Sequence, residues 1–259
     1  MNMEPVNQIS DAKPGERVGP GDQSALAPRR QRSCKIDQRI LEKTEELLRG
    51  RQRITVLEAG CGAASYFRFS GSMELHGIDV SQAELDKNRD VQHKMLGDIQ
   101  TYPLPTSYYD VVVCWDVIEH LPRPKEALTN MFRSVKPGGL ILLGFPNLMS
   151  FKGLVTKATP WWFHRVVYRF LGLRSKPFKT YLSRDILPQR VVRNAAANGH
   201  VTELFDREEG AVQKRMFTRV WPVGALFYLT NICVRVLSLG RGPLLWRDYC
   251  MMILRKQEA

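Results

Sequence analysis

The five cysteines, Cys34, Cys61, Cys114, Cys233 and Cys250, form no C-x-x-C pair and match no metal-knuckle spacing. An odd number without a framework points to a reducing compartment, not to a disulfide-stapled scaffold. The first 33 residues lack the apolar run of a secretory signal. They are rich in Pro, Gly, Gln and Ser without periodicity, which predicts a disordered tail ahead of a domain over 34–259. Acidic residues in that tail count against a mitochondrial presequence, although Arg29, Arg30 and Arg32 leave that destination open; a cytoplasmic location is expected. At the other end acidic residues are scarce. Residues 151–259 hold 19 Lys/Arg against 7 Asp/Glu, whereas residues 1–150 hold 19 of each, so the second part carries the whole net charge of +12. It also holds 15 of the 24 aromatics. A basic, aromatic-rich surface suits anionic lipid or nucleic acid, with an ordinary solvated basic face as the plainer alternative.

What is present is a regular alternation. Ile36, Ile40, Leu41, Leu47 and Leu48 recur at helical spacing and Gly50 ends the pattern, predicting an amphipathic helix. Strands are expected at 54–58, 73–79, 93–97, 110–115 and 140–145, with helices at 63–70, 82–89 and 124–135 between them. Ser81 can cap the second of these helices, and Lys136-Pro137-Gly138-Gly139 ends the third. Val111-Val112-Val113-Cys114 is continuously apolar, the mark of a strand buried on both faces. Strand–helix repeats of this length give an α/β, Rossmann-like, doubly wound parallel sheet. Beyond residue 146 the alternation breaks. A helix at 183–198 and strands at 200–205 and 247–254 are expected around two insertions, 146–182 and 206–245. The second insertion contains the apolar stretch 220–239, whose length nearly suits a membrane span, but Arg235 and the flanking fold argue for an interfacial helix instead, with a core or lid helix of the acceptor pocket as the alternative.

The strand at 54–58 ends in Glu58-Ala59-Gly60-Cys61-Gly62. Glycine permits the positive φ of a tight turn and the close approach of a ligand to the backbone. The third glycine of the dinucleotide fingerprint is missing, since position 65 is Ser. Asp79, 21 residues after Glu58, ends the next strand, where a carboxylate can accept from two ribose hydroxyls. Val56-Leu57-Glu58-Ala59-Gly60-Cys61-Gly62, Gly77-Ile78-Asp79-Val80-Ser81 and Gly97-Asp98-Ile99 together resemble the class I S-adenosylmethionine (SAM) dependent methyltransferases, and within them the branch of the ubiquinone-biosynthesis O-methyltransferases. The resemblance covers residues 36–149 and the last strand. It implies seven strands with an antiparallel last pair.

It also implies roles. Glu58 would meet the methionine amine, the Gly60 and Gly62 backbone would let the methionine part pass, and Asp79 would hold the ribose. Asp98 would accept from the adenine amino group, with a turn cap as the alternative, while Ile99 packs on the ring. Cys114 and Trp115 would line the floor. The acceptor side falls on Asp116-Val117-Ile118-Glu119-His120. There His120, backed by Glu119, is a candidate general base. An acidic-x-x-Glu-His pattern alternatively makes Asp116, Glu119 and His120 ligands of a divalent ion, provided that they share one helix face, with His164 or His200 as a fourth. A purely structural role is the third reading. No Asn-Pro-Pro-Tyr-like tetrad follows the strand, which disfavours base amino methylation. The expected function is O-methylation of a small lipophilic acceptor drawn from or near a membrane surface. The competing expectation is RNA ribose methylation.

Overall fold

Seven runs of β-branched and apolar residues form one sheet in the computed structural model. The structure describes residues 38–65, 67, 69, 71–148, 150, 153, 180, 181, 183–208, 221–237 and 247–258. The strands are β1 (Arg53–Ala59), β2 (Ser72–Asp79), β3 (His93–Leu96), β4 (Tyr109–Trp115), β5 (Val135–Pro146), β6 (His200–Glu208) and β7 (Tyr249–Lys256), in the order β3-β2-β1-β4-β5-β7-β6. Strands β3, β2, β1, β4 and β5 pair parallel, and β7 runs antiparallel between β5 and β6. The doubly wound sheet with an antiparallel end is therefore observed as expected. Order reverses at β1/β4, so the crevice beyond the carboxyl ends of these strands is where such sheets bind ligands.

Burial explains the order. Every residue of β4 is buried, because β1 and β5 flank it and both sheet faces are covered. Burying each of its valines contributes roughly 1.5–3 kcal/mol. Helices α1 (Gln38–Leu47), α2 (Gln82–Lys87), α3 (Pro124–Ser134) and α4 (Pro188–Ala197) surround the sheet, and α5 (Trp221–Leu237) lies between β6 and β7 in sequence. Leu128, Met131 and Phe132 of α3 pack into the same core as Val112, Ile141 and Leu143. Ser81 caps α2 as expected, its hydroxyl accepting from the Glu84 N–H at 3.3 Å.

Three expectations need correction. The described residues between 63 and 71 form no helix. Phe67 and Phe69 are both buried and stack 6.1 Å apart, whereas a helix would turn residues two apart to different faces. The helix expected at 183–198 is split. Ser183 caps only a 3-10 turn, Arg184–Ile186, and α4 starts afresh at Pro188, because proline is favoured at a first helical position and biases its predecessor away from helix. Residues 116–120 do not begin an α-helix either. Asp116 takes a left-handed φ of 55° and only Ile118–His120 close a 3-10 turn. The tail 1–33, most of 146–182 including His164, and residues 209–220 and 238–246 lie outside the described residues.

Candidate active site

The first half of the site is a loop held to the tip of a neighbouring strand. The Gly60 and Cys61 N–H groups donate to the Ile78 carbonyl at 2.7 and 3.3 Å, so the turn after β1 is hung on β2. Gly60 and Gly62 have φ of 69° and 52°, which side chains disfavour. The Gly62 N–H donates to one carboxylate oxygen of Asp79 at 2.9 Å, and the Ser81 N–H to the other at 2.9 Å. Asp79 is thus fixed by backbone on both oxygens, with lone pairs left over for further donors. Among the described residues no heavy atom lies within 4 Å of where a Cβ on Gly62 would stand, so the backbone is open to a ligand there. Glu58 is nearly fully buried and accepts from the Ser65 hydroxyl. Burial first, then the Glu58 and Asp79 carboxylates, push the Cys61 thiol up to about 12. Two negative groups therefore bracket a neutral thiol, a setting that favours a cation.

Asp98 is half-buried. One of its oxygens accepts the Gln100 N–H at 2.9 Å, and the Gln100 side-chain amide reaches both, at 2.9 and 2.7 Å. The turn-cap alternative is thus realised, and the carboxylate keeps acceptor capacity beyond it. Ile99 is 4% exposed within the core, so little of its surface is left for a ring.

The second half follows β4. Cys114 is fully buried, and its thiol is pushed well above the usual range by burial and then by the Glu119 carboxylate. Trp115 is 4% exposed, lies flat against Gly144, and meets Phe67 edge-on at 5.4 Å and Tyr249 at 6.0 Å. These rings form an apolar wall next to the turn. Tyr249, the first residue of β7, donates its hydroxyl to Asp116 at 2.8 Å. Burial and then the Asp116 carboxylate hold that phenol well above its ordinary value, so it stays a donor at neutral pH. Glu119 is buried, and its carbonyl accepts from the Tyr181 N–H at 2.7 Å. The His120 Nε2 stands 3.8 Å from the Glu119 carboxylate, within ion-pair range but beyond a hydrogen bond. The halves also meet at Gly60, where a Cβ would lie 2.4 Å from Val117 Cγ2.

A methyltransferase-domain family model matches residues 29–180. The chain belongs to the class I SAM-dependent methyltransferases. Residues of this methyltransferase-family chain are 35% identical over 101 positions to the malonyl-[acyl-carrier protein] O-methyltransferase of Salmonella typhimurium, covering 37% of this chain and 40% of that protein. They are 26% identical over 117 positions to the ubiquinone biosynthesis O-methyltransferase of Nitrosomonas europaea, covering 41% and 50%. The chain thus spans about half or less of the length of these curated relatives. The crystal structure of a SAM-dependent methyltransferase from Archaeoglobus fulgidus shares the fold, with a TM-score of 0.50 at 19% identity over 84% of this chain and 92% of that one.

The residues fit SAM. The open Gly62 backbone, the oriented Asp79 and the buried Glu58 suit a ligand with a ribose and a cationic amino-acid end. The expected metal ligands are not gathered. Asp116 stands before the 3-10 turn with a left-handed backbone, so it shares no helix face with Glu119 and His120. Among the described residues, the only group of three carboxylate, imidazole or thiol ligands within 4.8 Å of one another is Glu74, His76 and His93. His200, the other named candidate, pairs with Lys256 at the opposite end of the strands.

Sequence reasoning missed several members of this site. Asn88, fully buried at the end of α2, donates to the Cys61 and Gly62 carbonyls at 3.2 and 2.9 Å and locks the glycine loop. Its position just after a short helix was a capping signal, but its target was not readable. Asp90 accepts from the Ser65 N–H at 3.2 Å. Tyr249 reaches across 133 residues to Asp116 and left no local trace.

Proposed function

We propose that this protein transfers the methyl group of SAM to an oxygen of a small lipophilic acceptor. The observation that carries this reading is the Gly60–Val117 contact, which seats the Asp116–His120 turn directly on the loop suited to the donor. When bound, SAM supplies a methyl group activated by a cationic sulfur. The chain's contribution is position and dryness. Asp79 would accept from the ribose, Glu58 would balance the amino group, and Asp98 would offer acceptor capacity to the adenine edge. Phe67, Trp115 and Tyr249 exclude water from the space beside the turn. The His120 imidazole takes the acceptor's hydroxyl proton, and the Glu119 carboxylate, 3.8 Å from its Nε2, stabilises the imidazolium. Tyr249 holds Asp116 in place through its hydroxyl. Oxygen as the nucleophile agrees with the names of both relatives, each an O-methyltransferase.

A lipophilic acceptor taken up at an anionic membrane surface is supported by the second part of the chain. No helix among the described residues is long and apolar enough to cross a membrane. On α5, however, Ala225, Leu226, Tyr228, Leu229, Ile232, Cys233, Val236 and Leu237 are all exposed, Leu237 at 84%. They cover one half of the helix circumference, so this face is not core. An apolar helix face in a segment that carries all of the +12 suits peripheral adsorption to anionic lipid. The test has two arms. Labelled methyl from SAM is expected in an organic-solvent extract of the native host, and His120→Ala should lower that transfer while leaving SAM affinity intact. Label found only in an aqueous RNA fraction would contradict the acceptor class. Vesicles containing phosphatidylserine should sediment the protein at low salt and release it at high salt; equal behaviour with neutral vesicles would contradict the anionic surface.

A further inference from the structure

A second set of ligand-forming side chains lies on the early part of β2, away from the crevice. β2 and β3 pair in parallel register with His76 opposite His93. Glu74 precedes His76 by two residues, so the strand turns both to one face. The result is close convergence. His93 Nε2 stands 3.0 Å from Glu74 Oε1, His76 Nε2 stands 3.3 Å from the same oxygen, and the imidazole rings are 4.4 Å apart. All three ligand atoms lie within 4.8 Å of one another.

We propose that Glu74, His76 and His93 bind one divalent transition-metal ion of the zinc type. Two imidazoles and one carboxylate are a donor set that suits zinc, with a fourth position for water. The surroundings orient the ligands as a metal site requires. The Tyr109 hydroxyl, buried at 1% exposure, lies 3.5 Å from His76 Nδ1, which leaves Nε2 to face the ion. Arg53 binds the other Glu74 oxygen, Oε2, at 2.6 Å, so Glu74 offers one oxygen. His93 is the exposed member, its side chain 56% accessible, and gives an ion entry from solvent.

The ion's role follows from its place. β3 is a four-residue edge strand with a single neighbour, so ligands from both strands make the ion a cross-link between them. β2 ends at Asp79, three residues or about 10 Å beyond His76, and β3 leads into Gly97-Asp98. The metal braces the two strands that carry the nucleoside-binding carboxylates. It takes no part in the transfer step.

The test uses the full chain, treated with EDTA and titrated calorimetrically with zinc chloride in a non-coordinating buffer. One ion per chain is expected with micromolar or tighter affinity, together with a higher melting temperature. His93→Ala and Glu74→Gln should each weaken this binding by about tenfold or more, and zinc should no longer raise their melting temperatures. The exposed His93 is the variant least able to disturb folding. His120→Ala should retain the ion. No saturable binding at tens of micromolar zinc, full binding in both His93→Ala and Glu74→Gln, or its loss in His120→Ala would each overturn the proposal.

Discussion

The two halves of the crevice are built by different means. On the donor side, Asp79 is fixed by the N–H groups of Gly62 and Ser81, 17 and 2 residues away, and the glycine loop is fixed by Asn88, 27 residues or fewer from its partners. On the acceptor side, Asp116 is fixed by a side chain 133 residues distant. One half is made of short-range backbone geometry. The other depends on where two insertions return the chain. The donor half is therefore specified locally, and the acceptor half by contacts distant in sequence.

The largest way to break that division is at the contact between the halves. Gly60→Ala adds a Cβ 2.4 Å from Val117 Cγ2 at a φ of 69°. Left-handed strain and overpacking together cost on the order of 3 kcal/mol, so thermal unfolding should shift down clearly and SAM affinity should fall with it. The double variant Gly60→Ala, Val117→Ala removes the clash but not the strain, and should recover part of the stability. No recovery would mean that the halves do not meet there.

A smaller effect sharpens the comparison from the other side. Tyr249→Phe deletes the donor to Asp116, a bond to a charged group that contributes about 1.5–3 kcal/mol. Turnover should drop about tenfold or more, while calorimetric SAM affinity stays within about twofold. Equal losses in both would show that the halves are not separable.

The smallest effect tests whether anything outside the crevice discriminates between them. Asp110 sits at the opposite end of β4. Burial alone would raise its carboxyl, but Lys136, the Thr55 N–H and Arg51 hold it below its ordinary value. Its contribution is present above the unfolded value near 3.8 and is lost as pH falls through the lower folded value. His200 is depressed mainly by burial, so its share is present above the unfolded value near 6.5 and is lost on acidification below it. Denaturation curves should therefore weaken modestly below pH 6.5 and steeply below about 4. A profile flat down to pH 3 would contradict both assignments.

The same contrast decides what could be read in the sequence. The strands, the Gly60/Gly62 turn and the place of Asp79 were legible because each is specified within a few residues, by continuous apolar runs or by a glycine at a strand tip, whereas the antiparallel end was implied by the family resemblance alone. The segment 63–70 was misread because Phe67 packs against Trp115 and Phe69 against Phe67, tertiary contacts that no local propensity records. The ligand set Asp116, Glu119 and His120 failed for a different reason: a single left-handed residue, Asp116, breaks the helical spacing on which the pattern depended. Tyr249 was illegible because register between β5 and β7, not sequence proximity, brings it to the crevice. Glu74, His76 and His93 needed the β2–β3 register before they could be seen as a group.

The most direct measurement is a calorimetric titration of SAM into the wild-type chain and into Asp79→Ala and Asp79→Asn, with melting temperatures recorded for all three. One SAM per wild-type chain is expected, with affinity reduced about tenfold to a hundredfold in both variants while each still unfolds cooperatively. Unchanged affinity in two folded variants, or no binding by the wild type at millimolar SAM, would contradict the account.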